Sequence, residues 1–215
     1  MERIQKILSL DMSSKTGWSI GTISKNSAGD MSYDLESFGL LQKTEKPDKK
    51  YPSDYISWAV NTARPIINMI ETHKPDVLVI EETAKGSKNN FSQKLLEFIH
   101  YIMAEYISLN NIEARYFMTG EWRVLVGAKM SSAESKRNQK RSKIKKATGA
   151  IRIKDENGKV LGKITKKHVN IRRANELFGL SLIKKDEDIA DAILLGYAYF
   201  ITLNKNKTLD SDTKA

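Results

Sequence analysis

The chain has 215 residues, 36 Lys and Arg against 26 Asp and Glu, a formal net charge of +10, 40 % apolar residues and no cysteine. A chain of this size buries roughly 70 % of its unfolded surface and needs no covalent staples, and its composition excludes wholesale disorder, collagen and simple coiled coil. Without cysteine there are no disulfides, iron–sulfur clusters, thiolate zinc sites or cysteine nucleophiles. The same absence suits a reducing cytoplasm. No run is apolar enough for a bilayer span or a signal peptide. The positive charge suits a polyanionic partner, though on its own it is weak evidence.

The elements follow in chain order. Ile4–Leu10 is an apolar strand ending at Asp11, and Ser13–Thr16 is a turn. Gly17–Ser24 and Ser32–Leu41 are strands around a turn holding Gly29, so the chain opens as an antiparallel meander. Lys43–Ser53 is a loop. Helical spacing then runs over Asp54–Thr72, with Ser53 or Asp54 as cap and Pro65 predicting a kink or a late start. Asp76–Ile80 is a short continuous apolar strand between helices, which predicts a buried parallel position. Phe91–Ser108 is an amphipathic helix, Glu113–Met118 a strand, and Thr119 opens a short helix around Trp122.

Lys136–Lys167 differs in character, with thirteen Lys or Arg and two acids, Asp155 and Glu156. Up to Lys146 it shows no periodicity and reads as structureless; beyond it, alternation around Asn157–Gly158 predicts a hairpin. Lys166–Phe178 is a helix ending on Gly179. Glu187–Leu203 is the last helix, followed by a frayed polar tail from Asn204. The expectation is one mixed α/β domain over residues 1–215, with a basic insertion at 136–167 and a tail at 204–215.

Four acidic positions fall at element ends: Asp11 after the first strand, Glu81 after the fourth, and Asp188 and Asp191 on one face at the start of the last helix. Asp11 and Glu81 converge if the first and fourth strands are neighbours. Clustered carboxylates stay ionised only with compensation, which a hard cation such as Mg²⁺ or Mn²⁺ supplies through oxygen ligands. Two such ions about 3.5–4 Å apart act on phosphodiesters. Taken singly, Asp11 is an ordinary turn residue, Asp186, Glu187 and Asp188 are ordinary capping acids, and Glu82 competes with Glu81. Asp191 is the exception, a carboxylate inside an apolar helix, where burial is costly. The residues alone leave a metal-dependent hydrolase and a basic binding module both open.

The stretch Ile7–Ile20, with Asp11 followed by Thr16-Gly17-Trp18, resembles the opening of RuvC-type Holliday junction resolvases. Val77–Glu82 resembles that family's fourth strand with its Ile-Glu, and Asp188-Ile189-Ala190-Asp191-Ala192 its C-terminal Asp-x-x-Asp-Ala helix. The resemblance implies an RNase H-like fold with a five-stranded mixed sheet flanked by helices, three antiparallel strands preceding the parallel ones. It implies Asp11, Glu81, Asp188 and Asp191 as catalytic ligands of two Mg²⁺ per site, with Mn²⁺ substituting, and it favours Glu81 over Glu82. It further implies a cytoplasmic homodimer that nicks four-way DNA junctions symmetrically, leaving 5′-phosphate and 3′-hydroxyl ends. A phage or virus-like member fits best, because the compact cellular enzymes lack the basic insertion.

Lys85, Ser87, Lys88 and Asn89, after Glu81, fall where the family approaches the junction centre. Cellular members carry an aromatic wedge three positions after the Glu; here that position is Ala84, which leaves sequence preference open and favours a broader fork or flap nuclease as the alternative. Lys94 is a further candidate phosphate contact. Lys136, Arg137, Lys140, Arg141, Lys143, Lys145 and Lys146 are the candidates from the insertion. A catalytically inactive DNA-binding module is the remaining alternative.

Overall fold

The computed structural model describes residues 1–41, 50–82, 90–148, 154, 158, 160 and 162–212, without the side chains of 90–92, 146–148 and 206–212. Five strands form one sheet: β1 (Glu2–Asp11), β2 (Gly17–Lys25), β3 (Met31–Leu40), β4 (Val77–Glu81) and β5 (Glu113–Phe117), in the order β3-β2-β1-β4-β5. β1 pairs antiparallel with β2, and β2 with β3; β4 joins β1 and β5 in parallel. This is the mixed sheet expected from the sequence, with the first and fourth strands adjacent.

The two-residue period of the strands divides the interior into two cores. Leu8, Leu10, Leu78 and Ile80 point to one face and pack under α1 (Ser53–His73) and α2 (Asn90–Leu109). Ile7, Val77 and Val79 point to the other, under α3 (Thr119–Leu125), α5 (Lys166–Phe178) and α6 (Glu187–Asp212). Burial on both faces explains the unbroken apolar run of β4, and each such side chain is worth about 1.5–3 kcal/mol. Small residues let α6 lie close to the sheet. The Ser19 hydroxyl donates to the Ala192 carbonyl at 3.1 Å, and a β-carbon on Gly196 would come within 2.7 Å of the Tyr33 hydroxyl.

Several expectations are corrected. Residues 136–146 are helical, as part of α4 (Ser132–Thr148). This helix lacks an apolar stripe because polar fasteners hold it. Ser131 and Glu134 form a capping box: Glu134 Oε2 accepts from Ser131 N at 2.8 Å, and Ser131 Oγ accepts from Glu134 N at 3.2 Å. Arg172 of α5 grips both Glu134 oxygens at 2.6 and 3.2 Å. Asn138 pairs with the Ile164 backbone like a strand neighbour, donating at 2.8 Å and accepting at 3.1 Å.

The helix α1 runs through Pro65 without a late start, and its N-cap is Pro52, without a side-chain cap bond, in place of Ser53 or Asp54. Asn61, whose carbonyl loses its partner at Pro65, is exposed. α6 continues to Asp212, past the tail predicted from Asn204. Of the predicted hairpin, one antiparallel bridge joins Lys154 to Val160, and Gly158 has φ +78; Asn157 lies outside the described residues. α5 matches the sequence reading, with Thr165 capping its start and Gly179 in the left-handed region at its end.

The Arg172 guanidinium holds the Glu134 carboxyl down at about 2. This fastening is therefore complete above the ordinary Glu value of 4.5 and is lost as the pH falls through about 2. A cap of this kind is worth about 1 kcal/mol. Glu134→Ala is expected to raise amide exchange across α4 several-fold while the sheet stays protected. Unchanged exchange in α4 would mean that other contacts hold it.

Candidate metal centre

Asp11 and Glu81 end neighbouring parallel strands. Leu10 is in register with Ile80, so the two carboxylates emerge side by side. The strand period places them with Ile7, Ser9, Val77 and Val79 on the α6 face. α6 brings Asp191, 3 % exposed, to the same point. One oxygen from each of Asp11, Glu81 and Asp191 lies within 4.8 Å of the other two. Gly17 makes the approach possible: it faces Asp11 across the β1–β2 ladder, and a β-carbon there would collide with the Asp188 carbonyl oxygen.

Two of the three carboxylates have partners that fix them. Asp191 Oδ1 accepts from Asn170 Nδ2 at 2.7 Å, and its Oδ2 lies 3.7 Å from an Arg123 guanidinium nitrogen. Asn170 is fully buried. The Thr119 hydroxyl donates to Glu81 Oε1, so Thr119 serves the cluster and not the start of α3, whose N-cap is Met118. Thr119, Arg123 and Asn170 were not among the predicted site residues. Asn170 carries a readable signal, a polar residue between Val169 and Ile171 on the buried side of its helix.

Asp188 stands apart. The Lys167 ammonium sits 2.9 Å from Asp188 Oδ1 and 3.1 Å from Glu187 Oε1, and Asp188 is outside the set of three. Burial opposes the Lys167 charge, but bonding to Asp188 and Glu187 outweighs it and holds the ammonium above its ordinary range. Glu82 is also outside the set; its charge acts on His100, whose pKa burial lowers and Glu82 raises. Geometry thus selects Glu81 of the two adjacent acids.

The electrostatics show what the cluster lacks. Burial pushes the Asp11 carboxyl well above its ordinary range, with Asp191, Glu81 and Asp188 adding to the effect and Lys167 opposing it. Burial raises Asp191 to about 6, against the opposing pull of Asn170 and Arg123. Three oxygen donors, no nitrogen or sulfur, and surplus negative charge in a desolvated place fit a hard divalent cation.

The predicted DNA contacts divide into several groups. Lys85, Ser87, Lys88 and Asn89 lie outside the described residues. The Lys94 ammonium lies over the Tyr51 ring, 4.9 Å from its centroid. On α4, Lys136, Lys140, Lys143 and Lys145 are exposed, and Arg141 is half-buried. Arg137 is turned inward, donating to the Gly162 carbonyl at 2.7 Å. Lys146 belongs to α4, but its side chain is outside the described set.

Without a cation, the raised Asp191 pKa makes its contribution to stability fall as the pH rises from 3.8 to about 6. A cation must displace those protons. Mg²⁺ is therefore expected to raise the Tm well above pH 6 and to do so less well below it, with Asp191→Asn abolishing the gain. An equal gain in the Asn variant would place the ion elsewhere. Gly17→Ala is expected to cost about 1–3 kcal/mol through overpacking and to weaken the Mg²⁺ response, read by the same melts.

The chain matches no protein-family model and no curated protein. Solved structures do resemble it. The Thermus thermophilus RuvC in complex with a Holliday junction substrate superposes with TM-score 0.56 at 7 % identity, covering 93 % of this chain and 96 % of that one. A second Thermus thermophilus RuvC structure gives 0.55 at 8 % identity, covering 94 % and 96 %. The fowlpox virus resolvase with its Holliday junction DNA gives 0.45 at 16 % identity, covering 92 % and 98 %. The first two, with the strand order above, establish an RNase H-like fold of the RuvC type.

Proposed function

We propose that this chain is a divalent-metal-dependent endonuclease that resolves four-way DNA junctions by paired symmetric nicks. The observation that carries this reading is the convergence of Asp11, Glu81 and Asp191 within 4.8 Å at the ends of two parallel strands and the start of a helix. Support comes from the likeness to RuvC bound to a Holliday junction and from the exposed lysines of α4, which suit DNA arms.

In this reading Asp11, Glu81 and Asp191 hold Mg²⁺ or Mn²⁺, which when bound supplies Lewis-acid polarisation and a lowered pKa for water. The strand ends fix Asp11 and Glu81; Asn170 and Arg123 keep Asp191 oriented and anionic. A carboxylate of the cluster accepts a proton from the attacking water. The water oxygen bonds to phosphorus as the bond from phosphorus to the 3′ oxygen breaks, leaving a 5′-phosphate, and the departing 3′ oxygen takes a proton from solvent to become a hydroxyl. Asp188 would serve a second ion, as the resemblance implies, only once released by Lys167. Two copies related by a two-fold axis match the symmetry of a four-way junction, and the chain works in the cytoplasm of a bacterial or phage-infected cell.

Labelled four-way junctions, forks, flaps, linear duplex and RNA–DNA hybrid test this with Mg²⁺, using wild type and Asp11→Asn. Paired symmetric nicks in the junction, lost in the variant, are expected. Equal cutting of forks and flaps would make it a general branch nuclease, the outcome that Ala84 in place of an aromatic wedge favours. Tight binding without cutting in Mg²⁺ or Mn²⁺ would overturn the enzymatic reading in favour of a DNA-binding module.

A further inference from the structure

Beside the carboxylate cluster lies a cavity of about 420 Å³ that the chemistry above does not use. Its walls include Lys163, Thr165, Lys167 and His168, at the entry to α5, and Lys184 and Glu187, at the approach to α6. Lys167 links the two: it touches Glu187 in the wall and Asp188 beyond it, and its charge acts on Asp11 and Asp191.

Among the described residues, the charges in this wall do not cancel. Glu187, the carboxylate among the lining residues, is taken by Lys167. Lys163 and Lys184 are exposed and have no carboxylate partner among the described residues. His168 adds a donor. Its Nδ1 accepts from the Thr165 backbone N–H at 3.1 Å, so in the neutral ring the proton resides on Nε2. Two ammonium groups without a carboxylate partner among the described residues, and an imidazole N–H, on one concave surface are suited to an anion. Among the described residues the lining has no Phe, Tyr or Trp on which a base could stack.

We propose that this cavity seats a backbone phosphate of the DNA strand being cut, beside the scissile phosphate. The inference rests on the nuclease reading and deepens it. The carboxylate cluster repels a polyanion, so a strand entering it needs a cationic hold immediately next to the point of cleavage. Lys163, Lys184 and His168 provide that hold, while Lys167 screens it from Asp188.

The experiment measures binding of a fluorescein-labelled four-way junction in EDTA across a NaCl series. Wild type is compared with Lys163→Gln/Lys184→Gln and with the equal-charge control Lys25→Gln/Lys205→Gln, each checked by its Tm. One lost phosphate contact lowers the slope of log K against log salt by about 0.9. That drop is expected in the cavity variant and not in the control. Junctions carrying a neutral methylphosphonate at single positions near the cut then locate the contact. At one position the substitution should weaken wild type and leave the cavity variant unaffected. Equal slopes in the two variants, or equal methylphosphonate losses at every position in wild type and cavity variant, would overturn the proposal. If wild type cuts junctions in Mg²⁺ while the slopes stay equal, the cavity inference alone fails. If wild type neither binds nor cuts, the nuclease reading fails with it.

Discussion

Concentrating carboxylates in a desolvated place is the constraint on which this structure turns. Asp11, Glu81 and Asp191 crowd within 4.8 Å, and burial raises the proton affinity of two of them. Such an arrangement opposes folding, and the surrounding elements make it tolerable. The start of α6 offers the positive end of a helix dipole. Asn170 and Arg123 stabilise the ionised form of Asp191, and Lys167 takes up Asp188. The two faces of the sheet supply the stability against which the cluster is set, through fully buried Ile7, Leu8, Leu10, Val77, Leu78, Val79 and Ile80.

The same constraint explains why small residues stand where they do. The carboxylates meet only if α6 lies almost on top of β1 and β2. Gly17 and Gly196 leave no side chain in that gap, and Ser19 anchors the helix by a hydrogen bond to the Ala192 carbonyl. Gly17 is thus a steric requirement of the Asp188–Asp191 segment, some 170 residues away in the chain. The three motifs act as one unit because they touch.

What was legible in the sequence follows from this physics. Strand period and unbroken apolar runs report burial, so β1, β4 and their terminal acids could be read directly. Gly179 could be read as the end of α5 because capping chemistry is local; the Thr165 cap at its start is as local but was not among the expectations. α4 was missed because hydrophobic periodicity reports only helices that bury an apolar stripe. This one is held by Glu134, Asn138 and Arg172, and its readable sign was the Ser131-x-x-Glu134 box. The separation of Asp188 from the other acids was not legible at all. It depends on an ion pair between residues 21 apart on two helices, and nothing in the local sequence of either specifies it.

The distribution of charge carries the last step. A net charge of +10 attracts DNA from any direction, so overall charge alone selects no strand position. The sign reverses at the carboxylate cluster, where a polyanion is repelled. Long-range attraction by the exposed lysines of α4 is screened within roughly 10 Å at moderate salt. Close placement therefore falls to groups adjoining the cluster. Lys167 is already neutralised by Glu187 and Asp188, whereas Lys163 and Lys184 have no carboxylate partner among the described residues. In the proposed reading, an acidic centre edged by these cations would seat the reacting phosphate over the carboxylates and its neighbour in the cavity.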